Sequence, residues 1–300
     1  MNVRKKLPSK ALGAGVVVAV LALAATTFVM RASAGEVVQV ADLAKQTHVH
    51  GLALDRQNRE RLLIATHHGI FSAGPDGKAE RVSAVQDFMG FSPHPHDPGL
   101  LYASGHPARG GNLGFIVSRD QGRTWTQISE GANGPVDFHQ MTVSPADPST
   151  IYGAFRGLQR SRDGGRTWTV IAAEPEKLID LAASAKSPDT LYAATEAGLL
   201  LSTDAGKTWR TILEGAPVTT VEVTSDGTLY AFVIGRGLVR AAEGDLAFST
   251  VSETPRTPPL MHLAVDPANP DQLFAAAGRG QVLKSIDRGR IWTTFGGSGS

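Results

Sequence analysis

The segment Ser118-Arg-Asp-Gln-Gly-Arg-Thr-Trp125 recurs as Ser161-Arg-Asp-Gly-Gly-Arg-Thr-Trp168, as Ser202-Thr-Asp-Ala-Gly-Lys-Thr-Trp209 and as Ser285-Ile-Asp-Arg-Gly-Arg-Ile-Trp292. The tryptophans are 43, 41 and 83 residues apart, and the last interval is close to two periods. A worn copy is therefore expected between the third and fourth, and Ala241–Phe248 supplies it, keeping Gly244-Asp245 but no tryptophan. A second marker runs independently through Leu101-Tyr102-Ala103, Ile151-Tyr152-Gly153, Leu191-Tyr192-Ala193, Leu229-Tyr230-Ala231 and Leu273-Phe274-Ala275. Leu62-Leu63-Ile64 fills the same slot upstream, which makes six copies.

Each period reads as four short alternating strands punctuated by Gly and Pro turns, with no sustained helical period. The sixth, for example, reads as strands at 260–265, 272–277, 281–285 and 291–295. Four-stranded units of about 40 residues are the mark of propeller blades. The expected fold is all-β: a six-bladed β-propeller over residues 45–297. Residues 35–44 form a linker in which 37–40 is a candidate strand for completing a blade, which one being open, and latching the ring, and residues 298–300 a flexible tail.

Arg4, Lys5, Lys6 and Lys10 precede an unbroken apolar run over residues 11–30, and Ala32-Ser33-Ala34 offers a small-residue cleavage site. This pattern is a secretory signal over residues 1–34, cleaved after Ala34; a retained membrane anchor is the competing reading. Either places the folded part outside the cytoplasm, in the periplasm, cell envelope or medium. No cysteine is present, so neither disulfides nor thiolate chemistry contribute. A formal charge of +1 without a concentrated cationic face excludes a nucleic-acid binder. Nothing calls for a partner subunit, and a monomer is expected.

The repeated segments resemble the Asp-box (BNR) repeats of the sialidase-like propellers, a superfamily that includes xyloglucanase-type glycosidases, sortilin-type receptors and a photosystem assembly factor. Thr47-His-Val-His-Gly51, Ala65-Thr-His-His-Gly69, Asp87-Phe-Met-Gly-Phe-Ser-Pro-His94 and Asp137-Phe-His-Gln-Met-Thr-Val-Ser-Pro145 are similar to an exported bacterial family catalogued as glycosyl hydrolase. The resemblance spans nearly the whole mature chain and implies the propeller fold and a glycosidase label.

The boxes themselves read as structural. Asp120, Asp163, Asp204 and Asp287 can each tie a tight turn, and Trp125, Trp168, Trp209 and Trp292 can pack between blades. Because strands alternate in direction, these third-to-fourth turns share one face of the ring with His94 and His96. The opposite face gathers the starts of the first strands and the second-to-third turns. It is expected to bring together His48, His50, Asp87, Asp137 and His139 with His67, His68, His106, Arg156, Glu196, Arg236 and Arg279. His106 opens an insertion, Pro107-Ala-Arg-Gly-Gly-Asn112, placed to cover the mouth.

Three chemistries fit that constellation. Asp87, Asp137 and Glu196 are candidates for the acid and the base or nucleophile of glycoside cleavage; every tyrosine is committed to the repeat, which excludes a sialidase nucleophile. His48, His50 and His139 with Asp87 are candidate ligands for Zn or Cu, and Met89, Met141 and Met261 nearby would favour Cu unless they only fill gaps between blades. His67, His68, His106, Arg156, Arg236 and Arg279 are candidates for binding a small molecule, a glycan or an anionic partner without catalysis.

Overall fold

The computed structural model describes residues 29–30, 35–252 and 258–297. Six antiparallel sheets of four consecutive strands follow one another along the chain. Their first strands, Val49–Leu54, Gln86–Pro93, Gln140–Val143, Leu178–Ala183, Val218–Val223 and Leu260–Val265, each contact the next. The sixth contacts the first, which closes a six-bladed β-propeller around a central channel.

The repeat explains the packing. The buried apolar side chains fall into six clusters, one at each junction between blades. The second-strand slot always faces forward: Leu63 packs into the junction with blade 2, Tyr102 with blade 3, Tyr152 with blade 4, Tyr192 with blade 5, Tyr230 with blade 6 and Phe274 with blade 1. The box tryptophans face backward. Trp125 meets blade 1, Trp168 blade 2, Trp209 blade 3 and Trp292 blade 5. One period of sequence thus supplies both halves of four of the six seams.

The box turn is held by local hydrogen bonds. In the second blade Asp120 accepts the Thr124 amide at 2.8 Å and its hydroxyl at 2.6 Å, and the Gly122 amide donates to Ser118 Oγ at 2.9 Å. Trp125 Nε1 donates back to the Gly122 carbonyl at 2.9 Å, which fixes the ring for packing. Gln121, Ala205 and Arg288 take the left-handed conformation at one shared position of this turn, with φ of 59°, 65° and 63°. In the fourth blade the Thr208 hydroxyl and amide, with Ser202, hold the Asp204 carboxyl down at about 2. The worn copy in blade 5 still forms the turn between Gly237–Ala242 and Ser249–Ser252.

The start of the chain departs from expectation. Val37–Gln39 does not latch the first blade to the last; it pairs with Lys78–Arg81 as a fifth, outermost strand of blade 1. Val40–Gln46, expected as part linker and part blade, is an α-helix. Its Val40 and Leu43, spaced for one helical face, are buried in the junction between blades 6 and 1 beside Phe274 and Phe295. Ring closure is therefore a packing event rather than a strand exchange. The backbone is tight there: a side-chain carbon on Gly77 would strike the Gly296 carbonyl. Val29–Met30, inside the proposed signal segment, pairs along the outside of blade 2. The rest of that segment and the tail lie outside the described residues. Among the described residues no helix is long and apolar enough to cross a membrane.

Trp125 is 1% exposed, whereas Trp292 is only half-buried. Urea unfolding is expected to show Trp125→Ala losing about 3–5 kcal/mol, the range for truncating a large buried side chain, and Trp292→Ala losing clearly less.

Candidate functional site

The channel is a cavity of about 260 Å³ lined by the first strands of the ring. His50 and His139 stand at one mouth, and His94 and Arg56 at the other. The second mouth is structural: Arg56 donates to the carbonyls of His94, Pro95 and Asp97, and His94 Nδ1 accepts the amides of His96 and Asp97. His94 and His96 are ordinary turn residues, as their position in the repeat implies.

At the first mouth the side chains form two adjacent three-residue groups. In one, His67 Nδ1 lies 2.8 Å from Asp87 Oδ2, and His50 Nε2 lies 3.1 Å from His67 Nδ1 and 3.7 Å from Asp87 Oδ1. Burial, then the neighbouring His67, pushes the His50 imidazole down to about 4, so this ring is neutral at physiological pH. In the other, His106 Nε2 and His139 Nε2 meet the same oxygen, Asp137 Oδ2, at 2.9 and 2.8 Å. The Asp137 hydrogen bond holds the His139 imidazole above its ordinary value.

Strand pairing explains why the groups are neighbours. Asp87 begins the first strand of blade 2 and stands directly across from His106 on its second strand. Each blade-2 residue then joins a different neighbour: Asp87 meets the histidines of blade 1, and His106 meets Asp137 and His139 of blade 3.

The tautomers are constrained. His106 Nδ1 faces the Gly111 carbonyl at 2.8 Å. A carbonyl only accepts, so Nδ1 carries the hydrogen and the neutral ring presents a lone pair at Nε2. That lone pair faces a carboxylate oxygen, which also only accepts. Such a contact needs a cation, either a proton or a metal ion. Asp137 is 3% exposed, and among the described residues neither its buried Oδ1 nor Asp87 Oδ1 has a hydrogen-bond partner. Orphaned carboxylate oxygens are costly when buried.

The remaining expected residues do not join these groups. His48 stands beside His67, with ring centroids 5.3 Å apart, and His68 is exposed. Arg156 lies over the Phe155 ring at 5.0 Å, Arg236 donates to Thr250 and to the Phe248 carbonyl of its own blade, and Glu196 pairs with Lys177 at 2.6 Å. Arg279 has no partner among the described residues. These four occupy second-to-third turns of blades 3 to 6, so the topology puts them on the expected face. Each is engaged within its own blade or solvated, and the expected convergence is confined to blades 1 to 3. Residue spacing identifies the face of the ring, whereas radial reach along that face depends on side-chain packing.

Three channel residues escaped the sequence reading: Asp180, Glu222 and His262. They sit inside first strands, where alternation alone reads them as interruptions of a core pattern. Bulges in three of these strands shift the register beside Asp180, Thr220 and His262. Asp180 Oδ2 accepts the Val221 amide at 2.9 Å and the Thr220 hydroxyl at 2.8 Å, yet burial raises its carboxyl to about 6. Burial, then the nearby Asp180 carboxylate, raises Glu222 to about 8. His262 donates from Nε2 to the Val49 carbonyl at 3.1 Å, tying blade 6 to blade 1, and burial lowers it to about 4.

The sequence matches no protein-family profile and no curated protein. Solved structures share the fold. A GH74 enzyme from Niastella koreensis superposes with a TM-score of 0.57 at 16% identity, over 83% of this chain and 45% of that one. The GH74 xyloglucanase from Xanthomonas campestris gives 0.55 at 19% identity, over 86% and 46%. YCF48 bound to a D1 peptide gives 0.53 at 16% identity, over 89% and 86%. The chain spans less than half the length of the GH74 enzymes it matches. At these identities the likeness establishes a propeller and leaves its chemistry to its own residues.

Glu222 carries a pH prediction. Its folded value, about 8, lies above its ordinary 4.5. The stability linked to its protonated form is complete below the ordinary value and is lost as pH rises through 8. Glu222→Gln should therefore raise the melting temperature relative to the parent at pH 9, with the gain shrinking toward pH 5. A difference that does not depend on pH would refute the assignment.

Proposed function

We propose that the protein is a metal-binding propeller whose channel mouth holds Zn(II) or Cu(II) at two-histidine, one-carboxylate sites. The observation that carries the reading is the pair of imidazole nitrogens converging on Asp137 Oδ2 at 2.8 and 2.9 Å, one of them fixed by Gly111 as a lone-pair donor. A metal-ligating histidine commonly donates its other ring N–H to a carbonyl, which fixes the tautomer. A tetrahedral ion about 2.0–2.2 Å from each ligand separates the ligand atoms by roughly 3.3–3.5 Å. The two contacts with Asp137 Oδ2 therefore need to lengthen by less than about an ångström to accept it. Imidazole and carboxylate donors suit Zn and Cu(II) rather than Mg or Ca.

His50, His67 and Asp87 offer a second site of the same composition. With three protein ligands, each ion keeps a position open to water or to a ligand entering the mouth. Met141 is buried in the seam between blades 2 and 3, which supports its gap-filling role over thioether ligation, and Met89 is buried as well. Export, expected from the N-terminal segment, would expose the sites to extracytoplasmic metal.

The glycosidase reading rests on the resemblance and on the shared fold. Its candidate acids are engaged: Asp87 and Asp137 face imidazoles, and Glu196 faces Lys177. The binding-propeller reading draws on the same mouth, with the open metal positions as its anchor.

Untagged protein titrated with Zn(II) or Cu(II) by calorimetry is expected to bind two equivalents, one per group. Asp137→Asn and His106→Ala should each remove one equivalent, and Asp87→Asn and His67→Ala the other. Metal content unchanged in all four variants, or absent from the parent, would sink the reading. A glycan panel separates the alternative: turnover by the parent that disappears in Asp87→Asn and Glu196→Gln would favour hydrolysis.

A further inference from the structure

The second-strand slot places a tyrosine across from an arginine in two blades. Tyr152 pairs with Arg160, and Tyr230 with Arg240. Elsewhere the slot faces Ser72, Val117, Leu201 or Lys284. Between blades 3 and 4 the tyrosine–arginine pair is occupied by a carboxylate from the next blade. Asp189 Oδ1 lies 2.7 Å from Arg162 Nη2, 3.2 Å from Arg160 Nη1 and 3.4 Å from the Tyr152 hydroxyl, which donates to the Pro188 carbonyl at 2.7 Å.

The counterpart of Asp189 at the junction of blades 5 and 6 is Asp271. Each precedes its second strand by two residues, and each carbonyl accepts the amide of the left-handed box residue: Ala205 to Asp189 at 2.8 Å, Arg288 to Asp271 at 3.0 Å. That box residue differs between the blades. Where blade 4 has Ala205, blade 6 has Arg288, whose Nε takes Asp271 Oδ1 at 2.6 Å. The carboxylate that would have closed the pair is diverted within its own blade. Among the described residues, the Arg240 guanidinium then has no hydrogen-bond or ion-pair partner, and the Tyr230 hydroxyl has no hydrogen bond. Both line an open pocket of about 240 Å³ on the face opposite the histidine mouth, with the worn box turn of blade 5 as one wall.

We propose that this pocket is a second ligand site, in which Arg240 and Tyr230 bind the carboxylate of a small organic acid. The ligand carboxylate takes the place that Asp189 fills in the sister junction, as a charge-assisted hydrogen-bonded pair. Arg288, paired with Asp271, lines the pocket as well, and so do Asp226 and Asp245. Asp226 is bonded to the Thr224 hydroxyl and the Thr228 amide, and Asp245 to the Ala247 amide. Their negative charge disfavours a dicarboxylate and favours a ligand that carries an ammonium group beside its carboxylate. An amino acid is therefore the better fit.

The test is calorimetry on metal-free protein at constant ionic strength, with glycine and with succinate as probes; removing metal keeps the outcome independent of the histidine mouth. Glycine is expected to bind more tightly than succinate. Arg240→Gln should weaken binding by roughly ten- to a hundredfold, the range for losing a hydrogen bond to a charged group, and Tyr230→Phe by less. Arg288→Gln releases Asp271 to return to Arg240 and should also weaken binding; because Arg288 itself lines the pocket, the double variant Arg288→Gln/Asp271→Asn, which removes the competing carboxylate, should restore it. Arg160→Gln, in the occupied junction, should leave it unchanged. Succinate binding tighter than glycine would keep the carboxylate site and assign it to dicarboxylates. Failure of both probes to bind the parent at millimolar concentration, or undiminished binding by folded Arg240→Gln, overturns the proposal.

Discussion

Consecutive blades meet along apolar seams, and these seams hold the ring together. A four-stranded sheet cannot bury both faces alone; every blade presents a large side chain forward, and blades 2, 3, 4 and 6 also present one backward. The forward side chain comes from the second strand and the backward one from the box tryptophan, whose indole is oriented by its own turn. With no disulfide available, six such seams and the closing helix carry the cohesion of the ring. The closing seam lacks a box tryptophan from blade 1, and Val40, Leu43 and Phe295 take over its apolar volume.

Departures from the repeat are where chemistry enters. Polar groups that would interrupt an apolar seam appear at the edge of the first strands, where the channel gives them room. At the histidine mouth, blade 2 is the hinge of the arrangement: Asp87 and His106 are cross-strand partners, yet each completes a group with a different neighbour. The insertion after His106 contributes through its backbone, since the Gly111 carbonyl sets which imidazole nitrogen faces Asp137. Deeper in the channel, Asp180 and Glu222 show how enclosure changes an acid: hydrogen bonds from Val221 and Thr220 keep Asp180 closer to its ordinary range, while Glu222 has no such support and rises further.

The opposite face shows the same logic in reverse. There a substitution within one box, arginine at 288 where the fourth blade has alanine at 205, redirects a carboxylate and opens a junction that its sister keeps closed. The worn box of blade 5 retains its turn because the Gly244–Asp245 segment still supplies local bonds, while its loss of sequence identity leaves that turn free to wall a pocket.

Sequence periodicity dictates the ring. Blade number, strand order, the two-faced role of the repeat and the structural nature of the boxes follow from periodicity, because neighbouring repeats must meet identical neighbours. It also determined that the histidines and acids of blades 1 to 3 share a face, because strand direction alternates. Which of them touch is settled by packing in three dimensions. Arg156, Glu196, Arg236 and Arg279 share that face and remain apart from the groups, since a side chain's radial reach is set by local packing rather than by its place in the period. The helix at Val40–Gln46 was illegible for a related reason: two turns with two buried residues leave too short a pattern to distinguish from a linker. Asp180, Glu222 and His262 were hidden because bulges shift the alternation that a sequence reading must assume to be regular.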